Sequence, residues 1–320
     1  MDSATIPKTT VFEEKIKYDY IIYHRNCFDG FSGFYLFMKS KLWIPKPIVF
    51  PDVPSSKKIP PNINGKNVII IDVAYDASVI KKISELANKI LFIDHHVTIQ
   101  EDIKKLKLDN PHEIVYDDTE SGASLVWKYF FKNEKMPKFI KYIKDNDIGA
   151  WKYKKTHDFI AALEVNFKLE PNYENLKHWD NLLDDDFLDS LIERGHVYNE
   201  YKNHLIKQNY KKYNILKFPS NKIIRKFKDL AQFKPFNVAV INSNCPSTSL
   251  LGKYIVENVE CDFCLLWNYS IKNSRYVISL RSREADVGII AKIMGGGGHK
   301  FASSFSFKSS FFQIDDLFFT

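Results

Sequence analysis

The sequence predicts an α/β protein of two lobes: an N-terminal parallel-sheet lobe over 1–184, a connecting helix over 185–214 and a smaller α/β lobe over 215–320. Three observations predict it. Continuous apolar runs alternate with helical segments through the first half, the pattern of a parallel sheet buried on both faces. A long amphipathic stretch then separates that half from the rest. At 320 residues the chain exceeds one ordinary domain and falls short of three.

Each element follows in order. Residues 18–24 (YDYIIYH) read as the first strand, ending at His24. Gly30 to Ser40 reads as a helix packed by Phe31, Phe34, Tyr35, Phe37 and Met38. Pro45, Pro47, Pro51, Pro54, Pro60 and Pro61 then mark loops and edge structure. Residues 66–72 (KNVIIID) form a buried strand ending at Asp72, and 77–88 a helix. Residues 89–96 (KILFIDHH) form another buried strand ending in Asp94, His95 and His96. A shorter strand at 113–117 and a helix at 121–131 come next, and a helix over about 137–145 leads into Asp147. From 185 to 213 the apolar residues Phe187, Leu188, Leu191, Ile192, Val197, Tyr198, Tyr201 and Leu205 describe one amphipathic helix, with Asp184–Asp186 as its acidic cap. In the second lobe strands are expected at 222–226, 236–242, 263–269 and 275–281, and helices near 247–258 and 285–294. The Gly295–Gly298 run and a strand-rich tail close the chain.

Composition excludes several classes. With 45% apolar and 27% charged residues the chain is not intrinsically disordered. It has no apolar run of about 18 residues, so no spanning helix is expected. The N-terminus, MDSATIPKTTVFEEK, lacks a basic flank followed by an apolar stretch, so a cytoplasmic protein without a membrane partner is expected. Four cysteines, at 27, 245, 261 and 264, are too few and too scattered for a disulfide framework, and Cys261 and Cys264 lie in an apolar segment suited to packing. The net charge of +7 permits an anionic substrate, with no Lys/Arg block of the nucleic-acid-tail kind. Only six residues are Arg, and three of them fall between 275 and 283, where a guanidinium fork for phosphate or carboxylate is worth testing.

The chemistry-bearing residues converge. His24, Asp72 and the Asp94-His95-His96 run all stand at the C-terminal ends of parallel strands, the edge at which open α/β sheets bind ligands. Imidazole with carboxylate is a ligand set for Mn, Zn or Fe. Asp29-Gly30 follows the first strand, where Gly30 allows a tight turn and the next helix start offers N–H donors. Asp145-Asn146-Asp147 sits at a helix C-terminus, where the helix dipole disfavours a carboxylate, so either a cation or a solvated turn accounts for it. Gly295–Gly298 uses a third of the twelve glycines and can present several N–H donors to an anion.

Taken together and in order, His24…Asp29-Gly30, Asp72, Asp94-His95-His96 and Asp147 resemble the motifs of the DHH phosphoesterases. These include RecJ-type exonucleases, nanoRNases (oligoribonucleases), cyclic-dinucleotide phosphodiesterases and family II pyrophosphatases. Ser279-Leu280-Arg281-Ser282 through Gly295–Gly298-His299 resembles the DHH-associated C-terminal domain, whose hallmark is a GGGGH loop. The resemblance implies two lobes with the active site in the cleft between them, and two divalent ions, usually Mn²⁺, with Co²⁺ or Mg²⁺ as substitutes. It implies that Asp72 bridges the ions, that Asp29, Asp72, His95 and Asp147 hold one, and that His24 and Asp72 contribute to the other. Asp94 would orient His95 by a hydrogen bond, and His96 would face the substrate phosphate. Arg281, Gly295, Gly296, Gly297, Gly298 and His299 would bind substrate. The chain departs from the usual first motif, because Asn26 or Cys27 stands where a first carboxylate is expected. The His24 site thereby lacks one charged ligand, in a His-x-Asn-Cys-x-Asp-Gly form similar to short-motif members of the family.

The resemblance thus implies a phosphodiesterase that cleaves short oligonucleotides or related small nucleotides by two-metal water attack. A cyclic-dinucleotide phosphodiesterase, or a nucleotide-binding protein that has lost turnover, is the alternative. Pyrophosphatases of the group lack the GGGGH lobe.

Overall fold

In a computed structural model of the chain, residues 16–319 are described, apart from 55 and 246 and the side chain of 299. Two compact units divide at Tyr198 and Asn199.

The first unit is built on β1 (Tyr18–His24), β2 (Trp43–Asp52), β3 (Asn67–Ile71), β4 (Lys89–Asp94) and β5 (Glu113–Tyr116). They form one sheet in the order β2-β1-β3-β4-β5, and every pair is parallel. The side-chain period of two explains why these strands are apolar throughout. Ile21, Tyr23, Ile69, Ile71, Leu91 and Ile93 enter one core, shared with α1 (Phe28–Ser40), α4 (Gly122–Phe130) and α5 (Lys138–Asp147). Tyr20, Ile22, Val68, Ile70, Ile90 and Phe92 enter a second core, shared with α2 (Ala77–Leu86) and α3 (Gln100–Lys105). The proline-rich segment expected as loop and edge contains β2, the outermost strand, a position where a missing N–H costs no ladder bond.

Two helices go beyond the sequence expectation. α6 (Thr156–Asn166) buries Phe159, Ala161, Ala162 and Leu163, and α7 (Tyr173–Trp179) buries Trp179. The long helix is present as α8 (Asp185–Asn209), with Asp184 accepting the Phe187 N–H (2.8 Å) at its start.

The second unit carries β6 (Asn214–Phe218), β7 (Phe236–Asn242), β8 (Phe263–Ser270), β9 (Arg275–Ser282), β10 (Gly297–His299) and β11 (Ala302–Lys308) in the order β10-β11-β9-β8-β7-β6. Only β7 and β8 run parallel, with α10 (Thr248–Asn258) between them in sequence. The strand expected at 222–226 is instead helix α9 (Asn221–Lys226). Its Ser220 cap accepts the Ile223 N–H (3.2 Å), and a run as short as Ile223-Ile224 suits either structure. The true strand, β6, lies just before it. Cys264 is buried with its thiol toward Gly252 O (3.3 Å), a packing role.

Candidate metal centre

Strand register creates the centre. Tyr23 pairs with Ile71, and Ile71 with Ile93. The next residues along the three strands, His24, Asp72 and Asp94, therefore emerge together at one sheet edge. Asp72 leaves β3 in a left-handed conformation (φ +63°) that turns its carboxylate into the cluster.

Asp72 is the hub. It is 1% exposed. His24 Nδ1 lies 3.2 Å from its Oδ2, while His95 Nε2 and His96 Nδ1 lie 3.1 and 3.6 Å from its Oδ1. Asp29, in the first turn of α1, is equally buried. Its Oδ2 accepts the Gly122 N–H (2.6 Å) and its Oδ1 the Ala123 N–H (3.1 Å), so the start of α4 fixes its position. Asp147, the last residue of α5, places Oδ2 3.2 Å from His95 Nε2. That oxygen is buried, and among the described residues it has no hydrogen-bond partner. Potential ligand atoms thus gather in two groups, each within 4.8 Å: His24, Asp72 and His96, and Asp29, His95 and Asp147.

Two details differ from the sequence expectation. Asp94 does not hold the His95 ring. Its Oδ1 accepts the His95 and His96 N–H groups (2.7 and 2.9 Å) and lies 2.8 Å from His96 Nδ1, while its Oδ2 accepts the Ala74 N–H (2.7 Å). With Asp94 Oδ1 holding the next two backbone N–H groups, the second imidazole lies against that carboxylate and the first reaches Asp72 in the carboxylate cluster. His96 accordingly joins His24 and Asp72, where a carboxylate was missed from the first motif.

Gly122 is a site residue that the sequence reading did not single out. A Cβ there would lie 2.8 Å from Asp72 Cβ and 2.9 Å from Asp29 Oδ2. Gly30 serves the same end, since its Cβ would lie 2.5 Å from His24 O and 3.1 Å from Asp72 Oδ2. A Ser-Gly pair opening an amphipathic helix was the available signal for Gly122.

The electrostatics describe a site short of positive charge. Burial, then the Asp72 charge, raises the Asp29 carboxyl to about 6. Burial, then Asp29 and Asp72, pushes Asp147 well above the usual carboxylate range. Burial also opposes ionisation of Asp72, but hydrogen bonds from His24 and His95 outweigh it and hold that carboxyl at about 2. Burial pushes the His95 imidazole down, yet the Asp72 hydrogen bond and the charges of Asp29 and Asp147 raise it to about 10. Protons are thus retained to balance clustered carboxylates, the role a divalent cation would take over. The oxygen and nitrogen donors, with Asp147 Oδ2 facing His95 Nε2 at 3.2 Å but in no hydrogen bond among the described residues, fit such an ion. Cys27 fits less well as a ligand, because burial and the charges of Asp72, Asp29 and Asp147 push its thiol far up. A cavity of about 320 Å³, lined by His24, Asn26, Cys27, Asp29, Asn146 and Asp147, adjoins the cluster.

The residues expected to bind substrate lie in the second unit. Arg281 on β9 donates through Nη1 to Leu280 O (2.7 Å), with its stem over Gly252. With Ser249, Lys253, Ser282, Arg283 and Phe301 it lines a cavity of about 360 Å³. The glycine run is part turn, part strand. Gly295 (φ +80°) and Gly298 (φ +136°) take backbone conformations that favour glycine, and a Cβ at Gly296 would lie 2.1 Å from Ser304 O. Gly297–His299 form β10, paired with β11, and β11 in turn pairs with β9 through Ala302 and Arg281. The His299 side chain lies outside the described residues.

No protein-family model matches the chain. "Uncharacterized protein R106" of Acanthamoeba polyphaga mimivirus is 27% identical over 336 residues, covering 97% of this chain and 73% of that protein. Among solved structures, the pGpG-specific phosphodiesterase PggH from Vibrio cholerae is similar with a TM-score of 0.49 at 16% identity, over 92% of this chain and 94% of that one. An exopolyphosphatase-related protein from Bacteroides fragilis is similar with a TM-score of 0.46 at 16% identity, over 92% and 88% of the two chains.

Proposed function

We propose that the chain is a metal-dependent phosphodiesterase of the DHH type that hydrolyses short oligonucleotides or related small nucleotides. The observation that carries this reading is the pair of ligand groups around Asp72, with a buried Asp147 oxygen that faces His95 Nε2 and has no hydrogen bond among the described residues. His24, Asp72 and His96 would hold one divalent ion, and Asp29, His95 and Asp147 the other, with Asp72 between them. Two such ions, Mn²⁺ by preference, would supply a nucleophilic water near neutral pH and charge compensation for the oxygens around phosphorus. The chain's own part is orientation. Asp94 fixes the His96 ring, the α4 start fixes Asp29, and α5 delivers Asp147. Arg281, Gly295–Gly298 and His299 would hold a second phosphate of the substrate, and that positioning would favour short chains. The cytoplasm is the proposed location.

The single carboxylate in the His24 group favours a second reading, a nucleotide-binding protein without turnover. Mn²⁺-dependent release of nitrophenol from the nitrophenyl ester of thymidine monophosphate separates the two. Labelled oligonucleotides of graded length, cyclic dinucleotides and pyrophosphate then identify the substrate. No release with Mn²⁺, Co²⁺ or Mg²⁺ would leave the binding protein as the reading.

A further inference from the structure

The turn before α4 buries a carboxylate and surrounds it with more positive charge than it needs. Glu120 is 6% exposed. Its Oε2 accepts the Ser124 hydroxyl (2.7 Å). Its Oε1 meets two ammonium groups, Lys128 of α4 at 2.7 Å and Lys144 of α5 at 2.6 Å. One lysine neutralises a buried carboxylate. The second leaves a positive charge in excess at the same oxygen, and of the three N–H donors on each ammonium Glu120 takes only one.

Both lysines lie in the wall of a cavity of about 400 Å³, a size within the roughly 300–1,000 Å³ of small-molecule sites. Lys141, one turn before Lys144 on α5, and Lys152, in the loop after α5, add two more cations to the wall. Among the described residues the Lys141 ammonium has no ionic or hydrogen-bonded partner. Asp145 also lines the cavity, but its carboxylate is committed to the N–H groups of Lys152 (2.6 Å) and Tyr153 (3.1 Å) and to the Thr156 hydroxyl. Asp117, held by the N–H and hydroxyl of Thr119, feels the charges of Lys128 and Lys144 without lining the wall. Even with Asp117 counted, four cations meet three carboxylates. Met136, Ile148 and Tyr153 supply the apolar part of the wall. Clustered ammonium groups combined with apolar and aromatic surface match a ligand that carries a phosphate on a flat, largely apolar body.

We propose that the cavity between α4 and α5 binds a nucleoside phosphate, with its phosphate at Lys128, Lys141 and Lys144. Met136, Ile148 and Tyr153 receive the base. None of the candidate metal ligands lines the cavity, so the site is additional to the metal centre. It goes beyond the phosphodiesterase reading and does not rest on it. A free mononucleotide and the end of a longer chain offer the same chemistry.

Calorimetric titration in EDTA, with Arg281→Ala as the parent chain, tests the site apart from hydrolysis and apart from the second unit. The probes are adenosine monophosphate, adenosine, inorganic phosphate and the dinucleotide pApA. Adenosine monophosphate is expected to bind, with adenosine and inorganic phosphate each about 10-fold weaker or more. Lys141→Gln removes a cation that holds no other group, so it is expected to melt with its parent. It should weaken adenosine monophosphate about 10-fold, the low end for a charged hydrogen bond. Bound adenosine monophosphate should also protect Lys141 of the parent from acetylation, read by peptide mapping, which needs no variant at the site. Tighter binding of pApA would assign the end of a chain as the occupant, and binding no tighter than adenosine monophosphate a free mononucleotide; either supports the site. No saturable binding of adenosine monophosphate at millimolar concentration would overturn the proposal. So would equal affinity for adenosine or for inorganic phosphate, unchanged affinity in Lys141→Gln, or no protection of Lys141. A chain that hydrolyses nothing with Mn²⁺ would fail the phosphodiesterase reading and leave each of these outcomes to be read as stated.

Discussion

Asp94 Oδ1 lies 2.8 Å from Nδ1 of His96, and the same oxygen accepts the backbone N–H of His95. One buried carboxylate thus shapes both histidines, but it orients the ring of only the second. The two imidazoles are adjacent in sequence and serve different groups, His95 with Asp29 and Asp147, His96 with His24 and Asp72.

Replacing Asp94 therefore has an asymmetric outcome. In Asp94→Asn the carboxylate that holds His96 is lost, and the His24 group is expected to bind its ion about 10–100-fold more weakly. The Asp29, His95 and Asp147 group should keep its ion. Metal content measured on the purified variant checks this, with one ion retained per chain as the expected value. Loss of both ions would show that Asp94 supports the whole cluster through the backbone.

Asp72 carries the opposite expectation. Because it contacts His24, His95 and His96, Asp72→Ala should remove both ions, whereas His95→Ala and Asp147→Ala should each remove mainly one. Chelation of the wild type should abolish hydrolysis, and added Mn²⁺ should restore it. An Asp72→Ala chain that still binds two ions would refute the assignment of the groups.

Much of this centre was legible because parallel strands impose simple rules. Apolar runs ending in His24, Asp72 and Asp94 located three strand ends, and parallel register brings strand ends to one edge. Less legible were features decided by contacts distant in sequence. Nothing near Gly122 announces that Asp29, 93 residues earlier, accepts its N–H. The turn after β4 likewise decided which imidazole Asp94 holds. In the second unit Ile223 and Ile224 suited strand or helix, and the Ser220 cap decided for helix. α6 and α7 follow a turn-rich stretch, and their apolar residues made no long periodic run.

Gly122→Ala tests the close approach at the centre. The added methyl would lie 2.8 Å from Asp72 Cβ and 2.9 Å from Asp29 Oδ2, and neither is the free end of a flexible side chain. A loss of about 1–3 kcal/mol in stability is expected from the overpacking, together with weaker metal binding at both groups. Gly297→Ala is the control, because a Cβ there meets nothing within 4 Å. Urea melts and metal titration of the two variants check the contrast.

The Glu120 carboxylate sets a pH-dependent part of stability. It is buried, which pushes its pKa up, but hydrogen bonds from Lys128 (2.7 Å), Lys144 (2.6 Å) and Ser124 (2.7 Å) outweigh that and lower it. A lowered carboxyl contributes stability above its unfolded value of about 4.3, and the contribution is lost as pH falls through the lower folded value. Glu120→Gln should therefore cost about 1–2 kcal/mol at pH 7, and its difference from wild type should shrink below about pH 4. Denaturant melts of both proteins at pH 7 and pH 3.5 check it. A difference that grows on acidification would mean that the lysines are not the source.

The second unit supplies the last prediction. Arg281 projects from β9 with its stem packed over Gly252, where an added Cβ would be 2.7 Å from its Cγ, so truncation of the side chain loses that packing and adds no clash. Arg281→Ala is thus expected to fold with a modest loss of packing and of the hydrogen bond to Leu280 O, and the comparison of two substrates isolates what the guanidinium does for binding. If it holds a second phosphate, kcat/KM on short oligonucleotides should fall about 10–100-fold, the value of a charged hydrogen bond worth about 1.5–3 kcal/mol. His299→Ala should act in the same direction. The nitrophenyl ester of thymidine monophosphate has no second phosphate, and its hydrolysis should change far less. Arg281→Lys keeps the charge without the planar fork and should recover only part of the loss, since a point charge cannot bind bidentately. Equal losses on ester and oligonucleotide would instead put Arg281 at the reacting phosphorus, and the role in positioning a second phosphate would be withdrawn.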